Sequence, residues 1–262
     1  MRCTSQEYRK QVPRGRTRQR QFAVCHPVQV TPESSSSAET QPSTLVLGID
    51  TCGPSGSVAL GRVAGDKVEI LSRVELEGRT YSATLVAAVS EVLTRHSVAL
   101  RAIGCIVVVK GPGSFTGVRV GLSAAKGLAD GAGIPVVAVS RLEVLAQKAD
   151  LVNSALDAHR HEIFLRLLGT ELLAGPADLE ALPAPLKCVV CDGNASALLV
   201  NIWPSTNLLS VPPPTATDAL RLAGPLIRKR QFADIALLDG HYLRRSDAEI
   251  FGDPAVTATR HA

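Results

Sequence analysis

The sequence predicts an α/β fold in two related halves, the second shorter and degenerate, and three observations carry that prediction. Short β-branched apolar runs such as Ile103 to Val109 alternate with longer stretches of helical periodicity. A glycine-rich run from Gly111 to Leu122 joins one of these strands to a helix through a loop almost without bulk. The order of elements then begins again after Leu151.

In chain order, Thr44 to Asp50 reads as a strand, Ser57 to Arg62 as its hairpin partner and Val68 to Leu76 as a third strand. A helix is expected from about Arg79 to His96, with Leu85, Val89, Val92 and Leu93 as its core stripe. Ser82, Ala83, Ala87 and Ser90 leave it a flatter face of small residues. The Ile103 strand, the glycine loop with its helix from Ser114 to Ala129, a strand at Pro135 to Val139 and a helix from Ser140 to Lys148 complete the first half. The second half reads as strands at Leu151 to Leu156, Glu162 to Leu168 and Leu186 to Cys191. A short helix near Ala177 to Leu182 and a longer one from Thr215 to Arg230 accompany them. The divisions are therefore a basic tail at 1–43, an N-terminal α/β half at 44–150 and a C-terminal half at 151–262.

The glycine loop permits a backbone to come close to something. Ser114 or Thr116 is a candidate N-cap, and Pro112 blocks an earlier helix start. Free N–H groups in that first turn and the positive end of the helix dipole would suit an anion; a tight strand-to-helix turn is the other reading. The spacing Gly111-x-Gly113-x-x-x-Gly117 is one residue too long for the dinucleotide fingerprint, and no Gly-Lys-Ser/Thr closes a P-loop. Ser114 lacks the flanking glycines of a nucleophile elbow, so no catalytic residue is assigned. Farther along, Gly117, Gly121, Ala124 and Gly127 are read as one small face. Each glycine inside a helix costs about 1 kcal/mol relative to alanine, and close helix packing, within the fold or against another protein, would offset that.

The tail expected to be disordered holds seven Lys or Arg against three Glu, leaving 21 of each sign in residues 44 to 262. The globular part is formally neutral, so a pI near 8.8 gives no argument for a nucleic-acid-binding surface on it. Aromatic residues at 3% also leave few stacking platforms for bases. The tail is Arg-rich like a transit peptide but shows no clear amphipathic helix, and no h-region marks a secretory signal; an unstructured extension or an over-long start is expected. Six scattered cysteines do not make a disulfide scaffold, and a reducing cytoplasm is the expected location. Cys188 and Cys191 have C-x-x-C spacing, but strand alternation would separate them and no second pair completes a zinc site.

Asp50-Thr51, ending a strand with a hairpin behind it, is similar to the first phosphate loop of actin-like and sugar-kinase-like folds. Further segments extend that similarity. They are Leu47 to Thr51 with Ser57 to Leu60, Gly111 to Arg119 with Gly121-Leu122, Pro135 to Glu143, Asp157 to Phe164, and the closing His241-Tyr242-Leu243-Arg244-Arg245. Together they resemble the TsaB family, over about residues 44 to 250.

The resemblance implies an actin-like ATPase (ASKHA) type of fold and a non-catalytic subunit in bacterial tRNA N6-threonylcarbamoyladenosine (t6A) synthesis. It implies pairing with the catalytic paralogue TsaD or with itself, resetting by the ATPase TsaE, indirect contact with tRNA and no membrane. Nucleotide and metal would enter through partners, with no cofactor of its own. The metal of TsaD is held by two histidines on a helix whose matching positions here are Arg141 and Leu145, and neither side chain offers a lone pair. Peptidase chemistry likewise finds neither a metal pair nor an elbow. The partner interface is expected at Tyr81, Ser82, Ala83, Ala87, Ser90, Gly117, Gly121, Ala124 and Gly127, with Tyr81 standing where the family commonly has histidine. On that expectation Gly121→Leu would weaken pairing and leave the monomer folded, whereas a small face packed inside the monomer would make the same variant unfold. A vestigial phosphate loop would comprise Asp50, Thr51, Gly111, Gly113, Ser114, Phe115, Thr116 and Arg119. The alternative is an actin-like small-molecule kinase or ATPase acting alone. His159 and His161 could form a His-x-His pair on one side of a strand, and Asp157 with Glu162 an acid/base pair, though structural roles are the simpler reading.

Overall fold

A computed structural model describes residues 43–244; the tail and the chain from Arg245 onward lie outside the described residues. Two five-stranded sheets form. The first holds β1 (Thr44–Asp50), β2 (Ser55–Ala64), β3 (Lys67–Glu77), β4 (Cys105–Val109) and β5 (Val136–Val139) in the order β3-β2-β1-β4-β5. β1 pairs antiparallel with β2 and parallel with β4, so an antiparallel hairpin flanks a parallel core. The interior strands are buried on both faces, which is why Cys105–Val109 is continuously apolar rather than alternating.

The second sheet repeats this scheme with β6 (Ser154–Asp157), β7 (Ile163–Leu167), β8 (Thr170–Ala174), β9 (Lys187–Val190) and β10 (Asn207–Ser210), ordered β8-β7-β6-β9-β10. The helices repeat too: α1 (Tyr81–Arg95), α2 (Phe115–Ala132) and α3 (Arg141–Lys148) in one half, then α4 (Pro176–Ala181), α5 (Gly193–Ile202) and α6 (Ala216–Arg228) in the other. This duplicated α/β architecture is the actin-like fold. Three elements escape the sequence reading. β8 follows directly on a turn at Leu168 and Gly169, both at positive φ. α5 buries only Ala195 and Leu199 and so shows no helical stripe. β10 is a mostly exposed edge.

The halves interlock. α6, which follows the second sheet in sequence, packs on β1, β2, β3, β4 and β5, and its Leu220 and Ala223 join the first core. α3, which follows the first sheet, packs on β6, β7 and β9, with Leu142 and Leu145 against Leu156 and Val189. Each sheet thus takes an inner-face helix from the other half, and the two helices touch each other between the sheets. α1 and α2 cover the outer face of the first sheet.

Candidate functional site

The glycine loop lies against the end of β1. Ser114 N–H donates to Cys52 O at 2.8 Å, and the Thr51 hydroxyl donates to Gly117 O at 2.6 Å. A Cβ at Gly113 would collide with the Cys52 carbonyl, one at Gly117 with the Thr51 carbonyl and one at Gly121 with Thr51 Oγ1. The closeness these residues permit is therefore internal, between α2 and β1. Gly117 and Gly121 are buried and are not available to a partner, which corrects their place in the expected interface. Gly127 does not share their face, contrary to expectation, because six residues at 3.6 per turn put it about 120° round from Gly121; it is exposed, with nothing within 4 Å of where a Cβ would stand. Ser114 caps α2 by accepting from Gly117 N–H at 3.2 Å.

The other expected phosphate-loop residues divide. Asp50 and Thr51 are buried, at 1% and 0% exposure. Burial raises the Asp50 carboxyl pKa, the neighbouring Arg141 guanidinium opposing it, and Asp50 Oδ1 accepts from Cys52 N–H at 2.9 Å. Phe115 and Arg119 point elsewhere: the Arg119 guanidinium carbon stands 3.8 Å above the centre of the Phe115 ring, and Phe115 packs on Tyr242 with ring centres 5.0 Å apart. Neither belongs to a phosphate cradle with Asp50.

Arg141 and Leu145 occupy the first two turns of α3, at 6% and 0% exposure. Arg141 packs so tightly on Gly53 that a Cβ there would strike its Nη2, and its Nε has no hydrogen-bond partner among the described residues. A cation and an isobutyl group supply no metal ligand. Tyr81 turns its hydroxyl inward to donate to Gly53 O at 2.8 Å, and burial pushes its pKa up to about 12. It is 5% exposed, so its main contact is with its own chain.

His159, Arg160 and His161 form a turn of three left-handed residues, φ 61°, 57° and 59°, between β6 and β7. The His-x-His pair that strand alternation would allow does not form, because no strand runs through these residues; a structural role in the turn is the simpler reading. Asp157 accepts from the His159 N–H at 2.8 Å and from Asn194 Nδ2 at 2.8 Å. Burial would raise its pKa, but these bonds outweigh that and lower it. Glu162 pairs with Arg244. The two acids serve the turn and the closing segment separately. By topology, this β6–β7 hairpin is the counterpart of the Asp50 hairpin, although its sequence carries no glycine signal.

An open groove of about 330 Å³ runs between α1 and α2. Tyr81, Ser82, Leu85 and Val86 line one wall, and Arg119, Val120, Ser123 and Ala124 the other. Along α1, Ser82, Ala83, Ala87 and Ser90 are all exposed. The sequence reading missed Val86, 67% exposed. It could have been found as the large apolar residue on α1 that lies off the Leu85–Val89–Val92 stripe.

A closing segment after α6 ties the site to both sheets. Ala233 bridges to Val136 on the edge of the first sheet, and His241 N–H donates to Lys110 O at 2.7 Å. His241 Nε2 meets Glu171 at 2.9 Å; Glu171 also accepts from Ser140 Oγ at 2.7 Å and from Arg166 Nη1 at 2.9 Å. No helix among the described residues is long and apolar enough to cross a membrane.

The family described as tRNA N6-adenosine threonylcarbamoyltransferase, TsaD, matches residues 70–173. The chain is 37% identical over 125 residues to the tRNA threonylcarbamoyladenosine biosynthesis protein TsaB of Haemophilus influenzae, covering 45% of this chain and 51% of that protein. The Escherichia coli protein of the same name is 35% identical over 125 residues, covering 45% and 52%. The chain thus spans about half the length of the curated relatives it matches. A Pseudomonas aeruginosa structure, described as an uncharacterized protein with similarity to peptidase YEAZ, matches with a TM-score of 0.65 at 28% identity, over 77% of this chain and 100% of that one.

Proposed function

The chain belongs to the TsaB family, and from that premise we propose that it is a non-catalytic subunit of t6A formation that docks TsaD through the α1–α2 face. The observation that carries this reading is the open groove with exposed Val86 on one wall, an apolar surface that the described part of the chain leaves uncovered. The side chains at Arg141 and Leu145 support a non-catalytic role, since neither can ligate a metal. In this reading nucleotide and metal are supplied by TsaD and the ATPase TsaE, tRNA contacts the complex through partners, and the work is done in the cytoplasm. A nucleotide-processing enzyme acting alone would need Asp50 open to its substrate, but the carboxylate is 1% exposed.

Mixing the full chain with TsaD, TsaE and tRNA and measuring threonylcarbamoyl transfer, with each protein omitted in turn, tests the reading. Transfer is expected only when both TsaD and this chain are present; transfer by this chain without TsaD would overturn it. Val86→Asp should weaken TsaD binding about thirtyfold, since a central apolar contact contributes about 2 kcal/mol. Its circular dichroism should stay that of the parent, because Val86 is already in water. Undiminished TsaD affinity would show that the groove is not the docking face.

A further inference from the structure

Arg141 opens α3 at 6% exposure, and its guanidinium makes neither an ion pair nor a hydrogen bond among the described residues. A guanidinium carries five N–H donors, and a charged donor left unmet in the interior costs more than a neutral one. The acceptors around it are turned to other donors. Gly111 O takes the Arg141 backbone N–H at 2.7 Å, and Cys52 O takes the Ser114 N–H at 2.8 Å. Gly53 O takes the Tyr81 hydroxyl at 2.8 Å, and Asp50 Oδ1 takes the Cys52 N–H at 2.9 Å.

A counter-charge is missing too. Asp50 acts on the guanidinium through space without pairing with it, and burial favours the protonated carboxyl; burial likewise keeps the Cys52 thiol uncharged. The position of the cation is a second observation. β1, β4 and β5 run parallel and end at Asp50, Val109 and Val139, and α3 starts two residues beyond the last of these. Crevices at the carboxyl ends of parallel strands are where open α/β sheets take ligands. This crevice is narrow. Asp50, Cys52, Tyr81 and Ser140 around it are buried, whereas Pro54 is exposed beside Gly53, against which Arg141 Nη2 lies. Of the guanidinium nitrogens only Nε is both sealed in and unpartnered, so the Nη groups still reach solvent.

We infer that Arg141 holds a small oxyanion, a phosphate or a carboxylate, beside Gly53 in the crevice between the β1–β2 hairpin and α3. The planar fork of a guanidinium matches two oxygens of such an anion, which supplies acceptors and counter-charge together. The buried surroundings admit a ligand of only a few heavy atoms. Arg141 lies outside the groove that docks TsaD, so the two proposals stand or fail separately.

The test is isothermal titration calorimetry of the full chain with sodium phosphate and, separately, sodium acetate, at an ionic strength held constant with chloride. Phosphate is expected to bind saturably with a dissociation constant of about 1 mM, the affinity of a single bidentate charge-assisted contact. Arg141→Met should weaken it about 100-fold. Arg141→Lys keeps the charge without the fork and should weaken it about tenfold. Acetate binding as tightly as phosphate assigns the site to carboxylates as well, and phosphate binding alone assigns it to phosphoryl groups. The Arg141 Nε–H resonance, identified by its absence from Arg141→Lys, should move as phosphate is added to the parent, a readout that needs no stable Arg141→Met. Absence of binding by both anions, undiminished phosphate binding by Arg141→Met, or an unmoved Nε–H resonance would each overturn the inference and leave the guanidinium to buried water.

Discussion

At the scale of single residues, glycine on α2 has two opposite uses. Gly121 lets the helix settle on Thr51, where a side chain has no room, whereas Gly127 faces open space. Gly121→Leu is therefore expected to destabilise the monomer by about 3 kcal/mol through overpacking, and Gly127→Ala to stabilise it by up to about 1 kcal/mol through helix propensity. Urea unfolding of the two variants checks both signs; a fully stable Gly121→Leu monomer would contradict the packing described. The sequence shows that these positions are small but not what lies above them. Thr51 is far from Gly121 along the chain, and only the sheet brings it there.

At the scale of elements, boundaries follow local chemistry where a cap is strong. α2 begins at the Ser114 cap and ends at Gly133 in the left-handed region, φ 68°. α6 opens on a reciprocal capping box, with Thr215 Oγ1 accepting from Asp218 N–H at 3.4 Å and Asp218 Oδ2 accepting from Thr215 N–H at 3.0 Å. Asp218 also pairs with Lys148 of α3 at 2.9 Å, so the same carboxylate starts one inner helix and fastens it to the other. Thr215→Ala should cost about 1 to 2 kcal/mol and speed amide exchange in the first turn of α6; unchanged exchange there would show that Lys148 alone holds the turn. α5 and β10 escape a sequence reading for the opposite reason. Their burial is slight or one-sided, so hydrophobic period carries little signal.

At the scale of the whole molecule, Glu171 on β8 joins three parts of the chain: Ser140 at the start of α3, Arg166 on β7 and His241 of the closing segment. Burial would raise its carboxyl pKa, but the bonds from His241, Ser140 and Arg166 outweigh that and hold it below the ordinary value. Because the folded pKa is lowered, the unfolded chain takes up its proton first as pH falls. The stability from this junction is complete above the ordinary carboxylate range and is lost as pH falls through the lowered folded value. Glu171→Gln should thus be less stable than the parent at neutral pH by about 2 kcal/mol, from the loss of charge-assisted bonds, with the gap closing in acid. Denaturant unfolding across that range measures it, and a gap independent of pH would mean that the carboxylate charge is not what binds these parts together.

The sequence by itself determined the α/β class, the strand that ends on Asp50-Thr51, the start of α2 just after Pro112, and the lack of ligand atoms at Arg141 and Leu145. Each of these is written in residue type and short-range spacing, through β-branched runs, a proline that bars an earlier helix start and side-chain donor chemistry. Only the tertiary structure decided that Gly117 and Gly121 face Thr51 inside the monomer, that Arg119 leans on Phe115 and Tyr242, and that α3 and α6 exchange sheets. Those outcomes depend on which distant segment arrives opposite a given face, and the hydrophobic period of a helix states how much of it is buried without stating against what.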